Sequence, residues 1–329
     1  MAAPAEEEKE RVCVTGAGGF VGSWIVKLLL SSDYLVHGTV RNPPRSKYAH
    51  LSKLEKASEN LKQFKADLLD YNSLCSAVAG CSGVFHVASP VIPSASVTNP
   101  QARVELIEPA VKGTLNVLSA CLEAKVKRVV VVSSISALFV SPDWPKGQVK
   151  DETCWSVPEY MKATKKWYFL SKTLAEREAL EFGKRTGLEI ITVLLPSLNL
   201  GPISSKELNT TEKSIVLTFV GGFESIGYNY WTVVDVRDVA EAVILVYKKS
   251  EAGERYICTA YAIGIKDLVD NYLRVAYPNY NYPHDLSHTE EEEKNVSSDK
   301  LQRLGWSYRP LKDTLIDSIE RFRKASVLD

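Results

Sequence analysis

The stretch "VCVTGAGGFVGSWIVKLL", Val12 to Leu29, constrains this chain more than any other. An apolar, β-branched run breaks into glycines and then resumes as an apolar helix. Gly16, Gly19 and Gly22 stand at that turn. One such glycine permits the tight turn, one lets the backbone approach a pyrophosphate, and one allows close helix–sheet packing. Phosphates would lie at the helix N-terminus, where unpaired N–H groups and the helix dipole favour anions. Glycines at this spacing mean little alone. After an apolar strand and before an apolar helix they point to a dinucleotide.

The rest of the chain continues the pattern. "RVCVTG", "YLVHGTV", "LKQFKAD", "GVFHVAS", "RVVVVSS" and "LEIITVLLP" read as strands. Between them "VGSWIVKLLLSS", "SKYAHLSKLEKAS", "NSLCSAVAG" and the stretch from Gln101 to Ala124 carry helical spacing. One long helix is expected from near Pro158 to just before Gly187, a C-terminal cap. Strands apolar on both faces that alternate with helices predict a doubly wound, parallel α/β sheet of the Rossmann type. After Pro196 loops and aromatic residues take over, then a helix ("VRDVAEAVILVYKK") and a short strand ("RYICTA"). The expected division is a tail (1–10), a nucleotide-binding domain (11–196) and a smaller substrate lobe (197–329) packed back on it. The acidic run Glu290 to Glu293 reads as a solvated loop.

Composition excludes several classes. Forty basic and forty acidic side chains cancel, so no global field favours nucleic acid or an anionic membrane. The six cysteines (Cys13, Cys75, Cys81, Cys121, Cys154, Cys258) form no Cys-x-x-Cys pair, which argues against a metal site and a disulfide scaffold. The acidic start lacks the apolar core of a signal peptide, and no apolar run reaches the length of a membrane span. A cytoplasmic monomer or weak dimer is expected, with the sequons at Asn209 and Asn295 unused.

NAD enzymes usually end the second strand with an acid that holds the ribose 2′-OH. Here Arg41 stands in that place, with Arg45 and Lys47 close by. Cations there suit a 2′-phosphate and favour NADPH over NADH, although a basic surface turn would look the same. Asp67 ends the third strand and fits either an adenine contact or an ordinary turn.

A nicotinamide cofactor implies hydride transfer, and a carbonyl that receives a hydride needs a proton. "KWYFLSK" supplies Tyr168 and Lys172, four residues apart and so on one helix face. An ammonium beside a phenol favours the phenolate and is expected to lower the tyrosine pKa. Ser134, at the end of the fifth strand, would help polarise the carbonyl. Ser133 and Ser136 are rival positions.

With these residues in view, the chain resembles the extended short-chain dehydrogenase/reductase superfamily. Within it, "FHVASPV", "YFLSKTLAEREALEFG", "LPSLNLGP" and "VVDVRDVAEAV" are similar to the plant cinnamoyl-CoA reductase and dihydroflavonol reductase group. The resemblance runs from Arg11 to about Lys324. It implies catalytic roles for Ser134, Tyr168 and Lys172, with Asn116 supporting the proton relay. It also implies an NADP-binding set of Thr15, Gly16, Gly18, Gly19, Phe20, Val21, Gly22, Arg41, Lys47, Asp67, Leu68, Val87, Ala88, Ser89, Tyr168, Lys172, Pro196, Ser197 and Leu198.

Departures from the group narrow the substrate. Cinnamoyl-CoA reductases typically carry Asn-Trp-Tyr-Cys-Tyr-Gly-Lys around the tyrosine; here Lys166, Phe169, Leu170 and Ser171 differ. Ser214 and Leu217 stand where members active on CoA esters tend to have His-x-x-Lys, which removes a phosphate contact. Phe139 occupies the position of the Asn or Asp with which dihydroflavonol reductases grip flavanone hydroxyls. Ser134, Phe139, Tyr168, Tyr228 and Trp231 are the candidate substrate contacts. Tyr228, Tyr230 and Trp231 are equally readable as lobe core. The expected enzyme is an NADPH-dependent reductase of an aldehyde, ketone or CoA thioester on a phenylpropanoid- or polyketide-type small molecule. The alternatives are a cinnamoyl-CoA reductase proper, a dihydroflavonol-type reductase, a sugar-nucleotide epimerase and a non-catalytic NADP sensor.

Overall fold

A computed structural model describes residues 9–41, 48–90, 103–145, 147–202, 230–280, 282, 296–324, 326 and 328. Arg45, Lys47, Asn209, Ser214, Leu217, Tyr228, Asn295 and the run Glu290 to Glu293 lie outside them. The apolar β-branched runs form β1 (Arg11–Thr15), β2 (Leu35–Val40), β3 (Leu61–Lys65), β4 (Gly83–His86), β5 (Arg128–Ser134) and β6 (Glu189–Leu195). β7 (Leu198–Leu200), β8 (Tyr230–Asp235), β9 (Arg255–Ile257) and β10 (Tyr261–Gly264) follow. Seven strands make one parallel sheet in the order β3-β2-β1-β4-β5-β6-β9. This is the doubly wound, Rossmann-type sheet that the strand–helix alternation predicts.

Apolar cores cover both faces. Helices Phe20–Ser31 and Val236–Lys248 pack on one side with Val12, Val14, Phe85 and Val243. Helices Tyr71–Val78, Glu108–Glu123 and Trp167–Thr186 pack on the other with Cys13, Val84, Val129 and Phe182. Each fully buried Leu, Ile or Phe there contributes about 2 kcal/mol of transfer free energy. The smaller sheet, β10-β8-β7, packs on helix Leu311–Lys324 through Leu198, Trp231, Val233 and Phe322.

Strand order reverses between β1 and β4, whose C-terminal ends meet at the pair Thr15 and His86. In open α/β sheets the ligand crevice opens at this switch point.

Two helices differ from expectation. The segment read as helical around Leu51 holds only a short 3-10 turn, Leu51–Lys53, and one α turn, Ala57–Asn60. The helix expected from Pro158 is two: Pro158–Ala163 and Trp167–Thr186. Between them Lys165 adopts φ +55°. The Lys166 N–H bonds back to Met161 O at 2.9 Å and the Lys165 N–H to Lys162 O at 3.3 Å. That pair of bonds is a Schellman ending. It usually carries glycine at the left-handed position, so a lysine there hid it. The break starts a new helix one residue before Tyr168. At the far end Gly187, φ +78°, caps the helix as predicted.

Candidate active site

The glycine loop is built for close backbone approach. Gly16 has φ +68°, in the left-handed region that a side chain disfavours. A Cβ on Gly22 would lie 2.3 Å from the Gly16 carbonyl oxygen, a clash with backbone that no rotamer relieves. The Gly19 N–H closes the turn on Gly16 O at 2.9 Å, and no side chain caps the helix that follows at Phe20 and Val21. Gly18 lies against the Tyr48 ring. The loop therefore fits a pyrophosphate cradle on the chemistry of its own backbone.

At the end of β2, Arg41 is exposed and able to meet a phosphate. Asp67 is exposed too; its Oδ1 accepts the Leu69 N–H at 2.9 Å, which is the ordinary turn role. The Asn116 amide donates to the Leu68 carbonyl at 2.8 Å. Its side chain thus braces the loop that follows β3.

Under the loop lies a network for which the sequence alone gave no signal. The Thr114 hydroxyl donates to Ala110 O at 2.8 Å and so accepts from His86 Nε2 at 3.3 Å. His86 Nδ1 must then accept from Thr15 Oγ1 at 2.9 Å. The N–H groups of Val87 and Ala88 both donate to Thr15 Oγ1, at 3.1 Å each. Burial, with the Lys172 charge, pushes the His86 pKa down to about 3, so the imidazole stays neutral and holds this tautomer. The network fixes the β4 exit, and with it Ser89.

Lys172 reaches Ser89: its Nζ donates to Ser89 Oγ at 2.8 Å. The same Nζ lies 5.9 Å from the centre of the Tyr168 ring. Burial pulls the lysine pKa down to about 8, while the Glu176 carboxylate pushes it back up. For Tyr168 the expectation of a lowered pKa is not met. Burial pushes the phenol above its ordinary value, opposed by a hydrogen bond with Ser134. Burial outweighs the stabilisation of the phenolate that a nearby ammonium would give, and the Lys172 ammonium itself donates to Ser89.

The rival serines separate. Ser133 Oγ donates to Glu176 Oε2 at 2.7 Å, on the buried side of β5. Ser134 Oγ lies 3.1 Å from Ser136 Oγ and accepts the Ser136 N–H at 3.2 Å. Ser134 is thus the serine that meets Tyr168.

On the substrate side, Phe139 is partly buried against Ile135, Leu138 and Cys154. Trp231 is 6% exposed inside the lobe core, the second of the two readings its sequence position allows. Its indole completes the packing between β8 and helix Leu311–Lys324, and period-two spacing could not tell that face from a pocket face. Pro196 is buried, and Ser197 is tied to Thr232 by paired bonds at 3.0 Å. The Leu198 side chain belongs to the lobe core, and its strand pairs with β8 at Val233.

All six cysteines are free thiols. Among the described residues no group of three or more His, Cys, Asp or Glu could hold a metal. None of their helices is long and apolar enough to cross a membrane.

A family model described as "NAD dependent epimerase/dehydratase family" matches residues 12–264. Cinnamoyl-CoA reductase 1 of Petunia hybrida is 41% identical over 316 residues, covering 95% of this chain and 92% of the relative. Tetraketide alpha-pyrone reductase 1 of Arabidopsis thaliana is 38% identical, with 95% of each chain covered. Among solved structures, vestitone reductase from alfalfa superposes with a TM-score of 0.84 at 33% identity, covering 97% of this chain and all of that one. The Candida albicans Gre2 in complex with NADPH gives 0.79 at 27% identity over 96% and 99% of the two chains. Fold, glycine cradle and full-length similarity agree: this chain belongs to the NAD dependent epimerase/dehydratase family, the extended short-chain dehydrogenase/reductases, among the relatives of cinnamoyl-CoA reductase.

Proposed function

We propose that this chain is an NADPH-dependent reductase of a carbonyl on a phenylpropanoid- or polyketide-type substrate, with Tyr168 as proton donor. The carrying observation is the convergence of Tyr168, Lys172 and Ser134 at the C-terminal end of β5, beside the switch point and its glycine cradle. Gly16, Gly18, Gly19 and Gly22 would hold the pyrophosphate, and Arg41 with Lys47 the 2′-phosphate. Bound NADPH supplies the hydride.

The chain's own groups do the rest. Ser134 Oγ orients the carbonyl oxygen. Tyr168 Oη, kept protonated by burial, delivers its proton as charge develops on that oxygen. Lys172 Nζ holds a positive charge near the phenol as it loses the proton, and so stabilises the phenolate left behind. Asn116 is the expected support of the relay, although its amide braces the loop that follows β3 here.

The names of the relatives span thioester and polyketide chemistry, and Phe139, the proposed substrate contact, has no group with which to grip a hydroxyl. We therefore read the substrate as an aromatic aldehyde or ketone, with a hydroxycinnamoyl-CoA thioester as the second possibility. NADPH consumption with coniferaldehyde, feruloyl-CoA and an aryl ketone tests this. Turnover of the thioester would make it a cinnamoyl-CoA reductase despite Ser214 and Leu217. No turnover of any carbonyl, with NADPH bound, would sink the proposal.

Arg41 tests the cofactor reading. Arg41→Ala removes a charge-assisted phosphate contact worth about 1.5 to 3 kcal/mol. KM for NADPH should rise by about tenfold to a hundredfold with little change for NADH. Equal effects on both cofactors would show Arg41 to be an ordinary surface turn residue.

A further inference from the structure

Directly under the candidate site lies a buried ionic network that the proton transfer described above does not use. Glu176, 1% exposed, follows Lys172 by one helical turn and shares its face. Its Oε2 accepts from Ser133 Oγ at 2.7 Å, and its Oε1 from Thr192 Oγ1 at 2.9 Å and Arg255 Nε at 2.8 Å. Arg255, 5% exposed, is fixed by Nη1 bonds to Glu152 O at 2.7 Å and Cys154 O at 2.6 Å. Its guanidinium lies 3.7 Å from the centre of the Trp155 ring. One carboxylate thus gathers β5, β6, β9 and the helix of Tyr168 and Lys172.

Stability alone is a poor reason for such a pair, since well-packed apolar residues serve as well or better. Place is the better reason. Ser133 is the neighbour of Ser134, and Glu176 is one turn from Lys172. We propose that Glu176 is the positioning residue of the site: it anchors the serine strand to the tyrosine–lysine helix and supplies the negative charge that keeps Lys172 an ammonium.

The inference rests on the assignment of Lys172 to the site proposed above. The other titratable groups around Lys172 and Glu176 do not supply that charge. Tyr168 on its own helix is a protonated phenol, and His86 of β4 is neutral. Arg255 of β9 is a cation that pairs with Glu176. Glu176 raises the affinity of Lys172 for its proton while burial lowers it.

The test is a titration that does not depend on turnover. The full chain is labelled with 13C at the lysine ε-carbons, and the Lys172 signal is identified by its loss in Lys172→Arg. In Glu176→Gln its midpoint should fall by about one pH unit. In Ser133→Ala, which removes one bond and keeps the charge, it should stay at the wild-type value. If Glu176→Gln fails to fold, the double variant Glu176→Gln/Arg255→Met removes both charges, and a smaller fall in the same direction is expected, because the lost Arg255 cation offsets part of it. An unmoved midpoint in a folded Glu176 variant overturns the inference. So does an equal fall in Ser133→Ala, which would show packing and not charge to be the cause. In an active enzyme the alkaline limb of the kcat–pH profile should move down with the midpoint, and a limb that stays in place also overturns the inference. A wild-type chain that reduces no carbonyl while the midpoint still moves would sink the proposed function and leave the Glu176–Lys172 coupling standing.

Discussion

Tyr168→Phe is expected to lower kcat for carbonyl reduction by about 10²- to 10⁴-fold, the usual contribution of a positioned acid. The substitution deletes one oxygen and keeps the ring. That ring stands edge-on to Phe169 with centres 6.3 Å apart, a contact phenylalanine reproduces. Among the described residues the substitution also loses the bond with Ser134, worth about 1 kcal/mol. Melting temperature and NADPH affinity should therefore stay near wild type, and kcat and kcat/KM should fall together, because the proton is needed only in the transition state. Retention of more than about a tenth of the activity would mean that another group or water supplies the proton. Ser134 would be the first suspect, since its hydroxyl shares that end of β5 with Ser136.

Much of this site was legible because its parts are local. The glycine cradle and the Tyr168–Lys172 pair each sit within one turn or one helix, so spacing alone places each set on one face. The six strands of the first two-thirds were legible for the same reason, as each is a short apolar run bounded by polar turns. What escaped was non-local. Glu176 meets Ser133, Thr192 and Arg255 across 43, 16 and 79 residues, and a lone glutamate in "KTLAERE" looks like a solvated helix face. His86 likewise meets Thr15 and Thr114 only after β1 and β4 pair in parallel. Choosing Ser134 over Ser133 needed the pleat, which sends neighbours to opposite faces; a serine pair gives no apolar pattern from which to read it. Asn116 and Trp231 are non-local in the same way, because spacing does not tell that the amide of one engages Leu68 or that the other packs in the lobe core.

Arg255→Met should carry the largest stability effect in the molecule away from the apolar core. Removing one partner of a buried pair leaves an uncompensated charge, at a cost of about 3 to 5 kcal/mol. For a chain of 329 residues that corresponds to a fall in melting temperature of roughly 4 to 7 °C at pH 7. In the Glu176→Gln/Arg255→Met double variant the loss should be much smaller than in Arg255→Met alone, because the carboxylate that Arg255→Met leaves stranded is gone as well. An equal loss in the two variants would mean that the cost of Arg255→Met is lost packing against Trp155 and not the stranded carboxylate.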